Sequence, residues 1–303
     1  MTYRRRPGES THLSGGPDWE RPLDFEGDSR PIADEWARWH IPDCDYFVLR
    51  DAVLALMSID LLHYRTLQME RRLATHLQRS GHENWTLYAQ SLRQQPEEAR
   101  RFLKFLTINV SSFYRDSDKW DYLAGTILPK LLSRCQPRGL EAWSVGCSIG
   151  AEPYTLAMLL RELAGHRRHR IHAGDIDPVI LEMAQAAGPY SNNDIRELPS
   201  DLVSHYLLAR DDSHYRVCAE IRGMVHFARF DILKDRAVQM YDLVICRNLV
   251  IYFTPAMKER VFLNLAQSVR PGGVFFIGST ETIPNYGQCG FRYLAPSFYQ
   301  RIE

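Results

Sequence analysis

Three acidic residues stand where predicted strands end, the position at which α/β proteins bind their ligands. Glu152 begins the helix after the segment Trp143–Gly150, Asp175 ends the next strand, and Asp231 ends the strand after that. Because the carboxyl ends of parallel strands meet at one edge of a sheet, we expect the three carboxylates to lie close together. Each alone is more typical of a helix cap or a loop, but together they indicate a pocket for amines, hydroxyls and a positive centre.

The turn that precedes Glu152 argues against a dinucleotide. A dinucleotide site has the pattern Gly-x-Gly-x-x-Gly, whereas position 148 is a serine, and an acid at a helix N-terminus repels a pyrophosphate. Asp175 is placed to accept hydrogen bonds from both hydroxyls of a ribose, and Asp231 to meet the edge of an adenine. Carboxylates without a phosphate clamp favour S-adenosylmethionine over NAD.

The composition excludes several classes of protein. The chain has 303 residues, 37 basic and 37 acidic side chains and 45% hydrophobic residues, as an ordinary globular protein does. Its apolar runs are shorter than the roughly 18 residues of a membrane helix, and the N-terminus lacks the apolar stretch of a signal peptide. Six cysteines without Cys-x-x-Cys spacing argue against a zinc site or a disulfide framework. We expect a cytoplasmic protein without a metal or membrane insertion.

The hydrophobic pattern divides the chain into parts. Residues 1–40 are rich in proline and glycine and are predicted to be a poorly ordered leader. The pattern is helical over 43–105, with one helix predicted from about 60 to 80. Beyond residue 120, strands alternate with helices, which indicates a mostly parallel sheet. This alternation lapses over 189–222, which indicates an insertion.

Four ordered motifs resemble those of the CheR-type chemoreceptor glutamate methyltransferases, and the resemblance covers roughly residues 43–303. The motifs are TINVSSFYRD at 107–116, GCSIGAEPY at 146–154, DID at 175–177 and ICRNLVIYF at 245–253, followed by a similar turn, GSTE, at 278–281. The resemblance implies an α/β fold. A Rossmann-like S-adenosylmethionine-dependent methyltransferase domain, with a small antiparallel β-subdomain insertion, would follow a small all-helical domain.

The resemblance also suggests domain boundaries. We expect an N-terminal helical domain at 41–106, a linker carrying cofactor-site residues at 107–120, and the methyltransferase domain at 121–303. The β-subdomain would occupy about 189–224.

Roles for individual residues are implied by the same motifs. The cofactor would be S-adenosylmethionine and the acceptor a glutamate on the cytoplasmic helices of a chemoreceptor, in the service of sensory adaptation. Arg115 and Tyr252 would border the transferred methyl group and the incoming carboxylate. The residues expected to contact the cofactor are Asn109, Ser111, Arg115, Gly146, Glu152, Asp175, Asp231, Ile232, Asn248 and Leu249.

Methylation of a glutamate requires few catalytic groups, and Arg115 and Tyr252 can supply them. A glutamate with a pKa of about 4.3 is ionised at neutral pH, so its methylation needs no general base, metal or cysteine nucleophile. The enzyme has to position an oxygen against the methyl group and exclude water. Arg115 can hold the carboxylate through its fork of donors, and Tyr252 can offer a hydroxyl and an aromatic face. Outside their motifs, a surface ion pair and a packed tyrosine would be the usual interpretations.

Three positions depart from the family pattern. Only the second acid of a common Gly-Glu-Glu-Pro motif remains, as Glu152, and Asp231 stands where a better-known relative has asparagine. Ser279 replaces a histidine that is common in its turn. None of these changes removes a group that the transfer requires.

The helix predicted over 60–80 also has a distinctive charge pattern. At roughly 100° per residue, Arg65, Arg72, His76 and Arg79 share one narrow stripe. A solvated face is the ordinary interpretation, and a docking surface for the glutamate-rich helices of a receptor is the functional one. Nucleic acid is disfavoured as a partner because the stripe lacks interleaved aromatic residues and the net charge is zero.

Three further hypotheses concern partners and rivals. The segment 207–217 is shorter than in relatives that tether to a pentapeptide at the receptor tail, so we expect no dependence on that tether. A methyltransferase acting on a nucleic-acid amine would have a motif such as Asn-Pro-Pro-Tyr where this chain has RNLVIY at 247–252. A scaffold without catalysis would bind the cofactor but tolerate changes at Arg115 and Tyr252.

Overall fold

The computed structural model describes residues 41–64, 66–107 and 111–302. The predicted leader, Arg65 and Asn109 lie outside these ranges. Among the described residues, no helix is long and apolar enough to cross a membrane, and no group of three or more potential ligands is arranged to hold a metal ion.

The first part of the chain is helical, as predicted. Asn84 caps one helix by accepting a hydrogen bond from the backbone of Leu87 at 2.9 Å, and Gly81 ends the preceding helix with a φ of 75°. A core of aromatic and aliphatic side chains, including Tyr46 and Phe102, joins the helices. They are α1 (Asp43–Met57), α2 (Leu67–Ser80), α3 (Trp85–Gln94) and α4 (Pro96–Thr107), with a short 3-10 turn at Leu61–Tyr64.

The prediction of one helix from residue 60 to residue 80 is wrong. The α2 helix begins at Leu67, and its N-cap is Thr66, whose hydroxyl accepts a hydrogen bond from Met69 N at 3.2 Å. Upstream, Asp60 accepts a hydrogen bond from the backbone of Leu62, which stabilises a separate turn. Of the predicted charged stripe, the helix therefore carries Arg72, His76 and Arg79.

The second part is a sheet with helices on its faces. Five strands are parallel, in the order β6-β2-β1-β7-β8, and the antiparallel strands β10 and β9 extend the sheet beyond β8. This is the predicted α/β architecture, and buried residues pack on both faces. The strands are β1 (Glu141–Val145), β2 (Arg170–Asp175), β6 (Val225–Arg229), β7 (Tyr241–Cys246), β8 (Val269–Ile277), β9 (Phe291–Ala295) and β10 (Phe298–Arg301).

Helices connect the parallel strands. The helix after β1 begins within the glycine turn, and the helix after β2 is capped by Asp177, which accepts hydrogen bonds from two backbone N–H groups. The helices of this part are α5 (Ser117–Tyr122), α6 (Leu128–Arg134), α7 (Ala151–Ala164), α8 (Pro178–Ala186), α9 (Ser200–Tyr206), α10 (Ala219–Arg222) and α11 (Pro255–Ala266).

A small antiparallel sheet occupies the predicted insertion. It has the order β3-β5-β4, with β3 at Tyr190–Ser191, β4 at Leu207–Ala209 and β5 at His214–Val217. The hairpin β9–β10 and the helices α5 and α6 were not predicted. Their segments are short, and Phe291–Ala295 and Phe298–Arg301 gain their strand conformation by pairing with each other and with β8.

Candidate functional site

A cleft at the carboxyl edge of the large sheet brings the predicted site residues together. Its volume is about 1070 Å³, counting the open solvent at its mouth. The ends of β1, β2, β6 and β7, the segment 111–115 and the helical part all contribute to its lining. The predicted residues that line it are Ser111, Arg115, Gly146, Glu152, Asp175, Asp231, Ile232, Asn248, Leu249 and Tyr252.

The turn after β1 requires a glycine at position 146. Gly146 has a φ of +73°, and a Cβ atom there would lie 2.8 Å from a methyl carbon of Leu249. The backbone N–H groups of Gly146 and Cys147 donate to the carbonyl of Gly174, which ties the turn to β2. The absence of a side chain at position 146 allows Leu249 to pack against the turn.

Two buried carboxylates lie beside this turn. Glu152 accepts a hydrogen bond from the hydroxyl of Ser144 at 2.7 Å, and Asp175 accepts hydrogen bonds from the backbone of Ser148 and Asp177 at 2.9 and 3.1 Å. Burial raises the pKa of both carboxyl groups above its ordinary value. A cation or a hydroxyl donor entering the cleft would stabilise their ionised forms, so the pair suits an ammonium group and a ribose.

Asp231 and Ile232 offer a polar and an apolar surface side by side. One oxygen of Asp231 accepts a hydrogen bond from Leu233 N at 3.0 Å, and the other lies 3.4 Å from the ammonium group of Lys234. Ile232 is buried in the cluster that includes Trp143. A flat base with a polar edge, such as adenine, is the type of group that matches this combination.

Glu281 is a buried residue of the site for which the sequence suggested no role. Its carboxylate accepts hydrogen bonds from three backbone N–H groups, those of Gly278, Asn248 and Val250, at 2.7, 3.0 and 3.2 Å. Asn248 has a φ of 55°, an uncommon conformation that these bonds support. Glu281 therefore fixes the loop that carries Asn248, Leu249 and Tyr252. The only indication of this role in the sequence was that Glu281 belongs to the GSTE turn at 278–281, which resembles a turn of the family.

Tyr252 lies where the cleft meets the helical part. It belongs to the 3-10 turn Val250–Tyr252, and the guanidinium carbon of Arg72 lies 5.7 Å from the centre of its ring. Burial raises the pKa of the Tyr252 hydroxyl, while the charges of Arg72 and Arg115 oppose that rise. The hydroxyl is therefore protonated at neutral pH and available as a donor.

The helical part supplies a wall of the cleft that the sequence did not predict. Ile59, Tyr64, Leu106 and Thr107 line it, and the ring of Tyr64 makes an edge contact with Phe253, with the ring centres 4.9 Å apart. The site is thus built from both parts of the chain.

Arg72, His76 and Arg79 of the predicted charged stripe lie on α2 and differ in their exposure. Arg79 is exposed on α2. Arg72 is partly buried, with its guanidinium over the ring of Phe105 and one nitrogen donating to the carbonyl of Phe105 at 2.6 Å. His76 stacks on Phe105 and forms a 2.6 Å hydrogen bond with the hydroxyl of Tyr88. Burial lowers the pKa of His76 to about 4, so it adds no positive charge at neutral pH, contrary to expectation.

This position of His76 predicts a loss of stability in mild acid. Burial lowers its pKa from the ordinary value of 6.5 to about 4. Between pH 6.5 and about pH 4, His76 is therefore protonated in the unfolded chain and neutral in the folded chain. The contribution of His76 to the free energy of unfolding should be unaffected above pH 7 and should fall by about 1–2 kcal/mol on going to pH 5. Urea unfolding of the wild type and of His76→Gln at both pH values measures the difference. The exposed His166→Gln should behave as the wild type, and equal acid sensitivity of wild type and His76→Gln would contradict the prediction.

The parallel sheet, the glycine turn and the carboxylates at successive strand ends define an S-adenosylmethionine-dependent methyltransferase. The family model described as the SAM binding domain of CheR methyltransferase matches residues 109–293, and the model of its all-alpha domain matches residues 45–107. The chain belongs to the CheR methyltransferase family, and its cofactor is S-adenosylmethionine.

Curated relatives span nearly the same length. The chain is 34% identical to a chemotaxis protein methyltransferase of Listeria monocytogenes over 261 residues, which cover 86% of this chain and 98% of the relative. It is 30% identical to the protein of the same name from Borreliella burgdorferi, with coverage of 80% and 89%. The chemotaxis protein methyltransferase 2 of Vibrio cholerae is 28% identical, with coverage of 80% and 87%.

Proposed function

We propose that this methyltransferase esterifies glutamate side chains on the cytoplasmic helices of chemoreceptor-like proteins and thereby serves sensory adaptation. The main support is the distribution of charge in the cleft. Glu152 and Asp175 lie beside the glycine turn, whereas Arg115 and Arg72 lie near Tyr252. Arg247 lies 3.8 Å from Glu152 and offsets one of the two acidic charges, so one negative charge remains there for a cationic donor, and the arginines near Tyr252 would meet an anionic acceptor.

The cofactor-binding roles follow from the hydrogen-bonding capacity of each residue. Glu152 would hold the ammonium group of the methionine portion, and Asp175 the ribose hydroxyls. Asp231 and Ile232 would flank the adenine, with Asn248, Leu249 and Gly146 against the methionine portion. Ser111 lines the cleft on the side of Arg115, and Asn109 and Ser111 complete the proposed set.

The methyl-transfer step requires no general acid or base from the protein. Bound S-adenosylmethionine supplies a methyl group that its sulfonium makes electrophilic. Arg115 would hold the acceptor carboxylate so that one oxygen faces the methyl group, and the protonated hydroxyl of Tyr252 would donate to that carboxylate. Packing of the acceptor helix over the cleft would exclude water from the attacking oxygen.

The acceptor helix would dock along the positive surface of α2. Arg79 is exposed there, while Glu70 is turned inward and accepts a hydrogen bond from Ile41 N at 3.1 Å, so this acid does not offset the surface charge. The guanidinium of Arg72 is largely buried, with its Nη1 atom inaccessible to solvent, and its central carbon lies 5.7 Å from the ring centre of Tyr252. A glutamate-rich helix bound to the exposed Arg79 would run along the helix that carries Arg72 and so approach Tyr252. Arg65 belongs to the proposed set but lies outside the described residues, and His76 packs within the core and adds no charge to this surface.

Methyl transfer to candidate receptor fragments tests the proposal. The protein, radiolabelled cofactor and a receptor cytoplasmic fragment are incubated, and the labelled product is treated with mild alkali. Carboxyl esters release volatile methanol, whereas methylated amines keep the label. Release of methanol supports the proposal. Label that resists alkali would identify an amine acceptor, and cofactor binding without transfer to any fragment would favour a scaffold.

We also predict that transfer does not depend on a tether to the receptor tail. The strands β4 and β5 are joined by a short turn, and the small sheet offers only the brief edge strands β3 and β4. Calorimetry with a pentapeptide from a receptor tail should detect no binding in the micromolar range, and removal of the tail should leave transfer rates unchanged. A micromolar dissociation constant would contradict this prediction.

A further inference from the structure

Arg247 is a buried cation that the roles assigned above do not use. Its side chain is 4% exposed and packs against a pair of aromatic rings, with its guanidinium carbon 5.7 Å from the ring centre of Trp120 and 4.7 Å from that of Phe276. A buried guanidinium is costly unless its charge is compensated. Its position directly before Asn248 places it between the loops that form the cleft.

The guanidinium group of Arg247 contacts two separate sides of the site. One nitrogen donates to the carboxylate of Asp116 at 2.6 Å and to the backbone carbonyl of Arg115 at 2.9 Å. Another nitrogen lies 3.8 Å from an oxygen of Glu152, which is outside hydrogen-bond range but close enough for electrostatic attraction. That distance leaves the oxygens of Glu152 able to accept a hydrogen bond from a ligand.

The segment around Arg115 needs such external support. Tyr114 and Asp116, on either side of Arg115, have φ values of 57° and 61°, a region that residues other than glycine seldom occupy. The carboxylate of Asp116 also accepts a hydrogen bond from the hydroxyl of Ser279 at 3.0 Å. Arg247 and Ser279 thus hold Asp116 from two loops, and this arrangement fixes the direction in which Arg115 leaves the backbone.

We propose that Arg247 is a positioning residue for methyl transfer, which holds the backbone at Arg115 and supplies the positive charge that faces Glu152. The proposal depends on the proposed function, because it takes Glu152 as the group that receives the ammonium of the cofactor. Arg247 lines the cleft, and in this scheme it acts through Arg115 and Glu152 and takes no part in holding the acceptor.

The charges around Glu152 make its response to the loss of Arg247 predictable. Burial raises the pKa of Glu152, and the charge of Arg247 is the largest influence that lowers it. The hydrogen bond from Ser144 and the charge of Arg115 also lower it, while Glu281 raises it. The nearby thiols of Cys147 and Cys246 have pKa values raised by burial and are neutral. Without Arg247, Glu152 should take up a proton at a higher pH and lose its attraction for an ammonium group.

The test measures the affinity for S-adenosylhomocysteine by calorimetry between pH 6 and 8.5. For Arg247→Met, we expect the pH at which affinity is half lost to be higher than in the wild type, because Glu152 loses the charge that most favours its ionised form. Adding Glu152→Gln should abolish the difference in pH dependence between that variant and the protein with the wild-type Arg247, and leave only the part that arises from Asp175. Arg138→Met is the matched control, because Arg138 also pairs with a buried acid, Asp242, away from the cleft. A structural role alone would weaken binding equally at every pH.

A second pair of variants separates the backbone role from the charge. Arg247→Lys keeps the charge but loses the fork of donors, and Asp116→Asn weakens the hydrogen bond between Arg247 and the side chain at position 116 while leaving Arg247 in place. Both should lower kcat at saturating cofactor by about tenfold or more, with the pH midpoint of binding unchanged.

Each outcome bears on one of the two hypotheses. If Arg247→Met does not fold, Arg247→Gln carries the charge test. An unshifted midpoint together with unchanged kcat values would overturn the role of Arg247 while methyl transfer by the wild type stands. Failure of the wild type to bind S-adenosylhomocysteine or transfer a methyl group would instead overturn the proposed function.

Discussion

Replacing Arg115 with alanine should reduce kcat/KM for methyl transfer at least about 100-fold while leaving the fold intact. Two hydrogen bonds from a guanidinium to a carboxylate contribute roughly 1.5–3 kcal/mol each, and two such bonds correspond to at least a 100-fold effect on rate. The fold should persist because Arg115 is only partly buried and Arg247 contacts its backbone carbonyl, which alanine retains. Initial rates with a receptor fragment, together with the melting temperature, measure both quantities.

Two further variants make this result interpretable. Arg115→Lys keeps the positive charge but loses the fork of donors, so its rate should lie between those of the wild type and Arg115→Ala. Arg196→Ala removes an arginine that is 72% exposed at its side chain and outside the cleft, and its rate should match that of the wild type. A rate for Arg115→Ala within twofold of the wild type would rule out the proposed role.

We expect the second large effect from Asp175→Asn, on cofactor affinity. The carboxylate of Asp175 already accepts hydrogen bonds from two backbone N–H groups, and a ribose would use its remaining capacity. An amide places donors where acceptors are needed, so we expect a loss of about 2 kcal/mol, or roughly a 30-fold rise in the dissociation constant for S-adenosylhomocysteine. Calorimetry at pH 7.5 measures this constant.

The control for this variant is the same substitution at an exposed position. Asp212→Asn changes the same chemical group in the turn between β4 and β5, and it should leave the dissociation constant unchanged. A change of less than twofold in Asp175→Asn would show that Asp175 serves the turn alone. A melting temperature close to that of the wild type would confirm that the loss arises at the ligand.

The parallel sheet and the cofactor side of the cleft were predictable because their signals are local. Short apolar strands followed by Glu152, Asp175 and Asp231 reveal both the strand ends and the edge they share. The glycine turn is equally local, since the conformation of Gly146 and the approach of Leu249 admit no side chain. The structure brings all of these residues to one cleft.

What the sequence could not reveal depends on contacts between distant segments. Glu281 meets the backbone of Asn248, 33 residues away, and Arg247 meets Asp116, 131 residues away. The burial of His76 within the predicted stripe has a related cause. Periodicity placed His76 beside Arg72, but the aromatic residues Tyr88 and Phe105, which enclose the imidazole, belong to other helices. The break at Thr66 came from a capping hydrogen bond that competed with helical continuity.

The wall contributed by Ile59, Tyr64, Leu106 and Thr107 has a thermodynamic consequence for the whole chain. A ligand that contacts both the helices and the sheet stabilises the association of these two parts. By linkage, the association of the two parts stabilises binding of the ligand by the same free energy. The enzyme loaded with its cofactor should therefore present a more rigid docking face than the empty enzyme. An acceptor that favours the rigid form should therefore bind more tightly to the enzyme that already holds its cofactor and is ready to react.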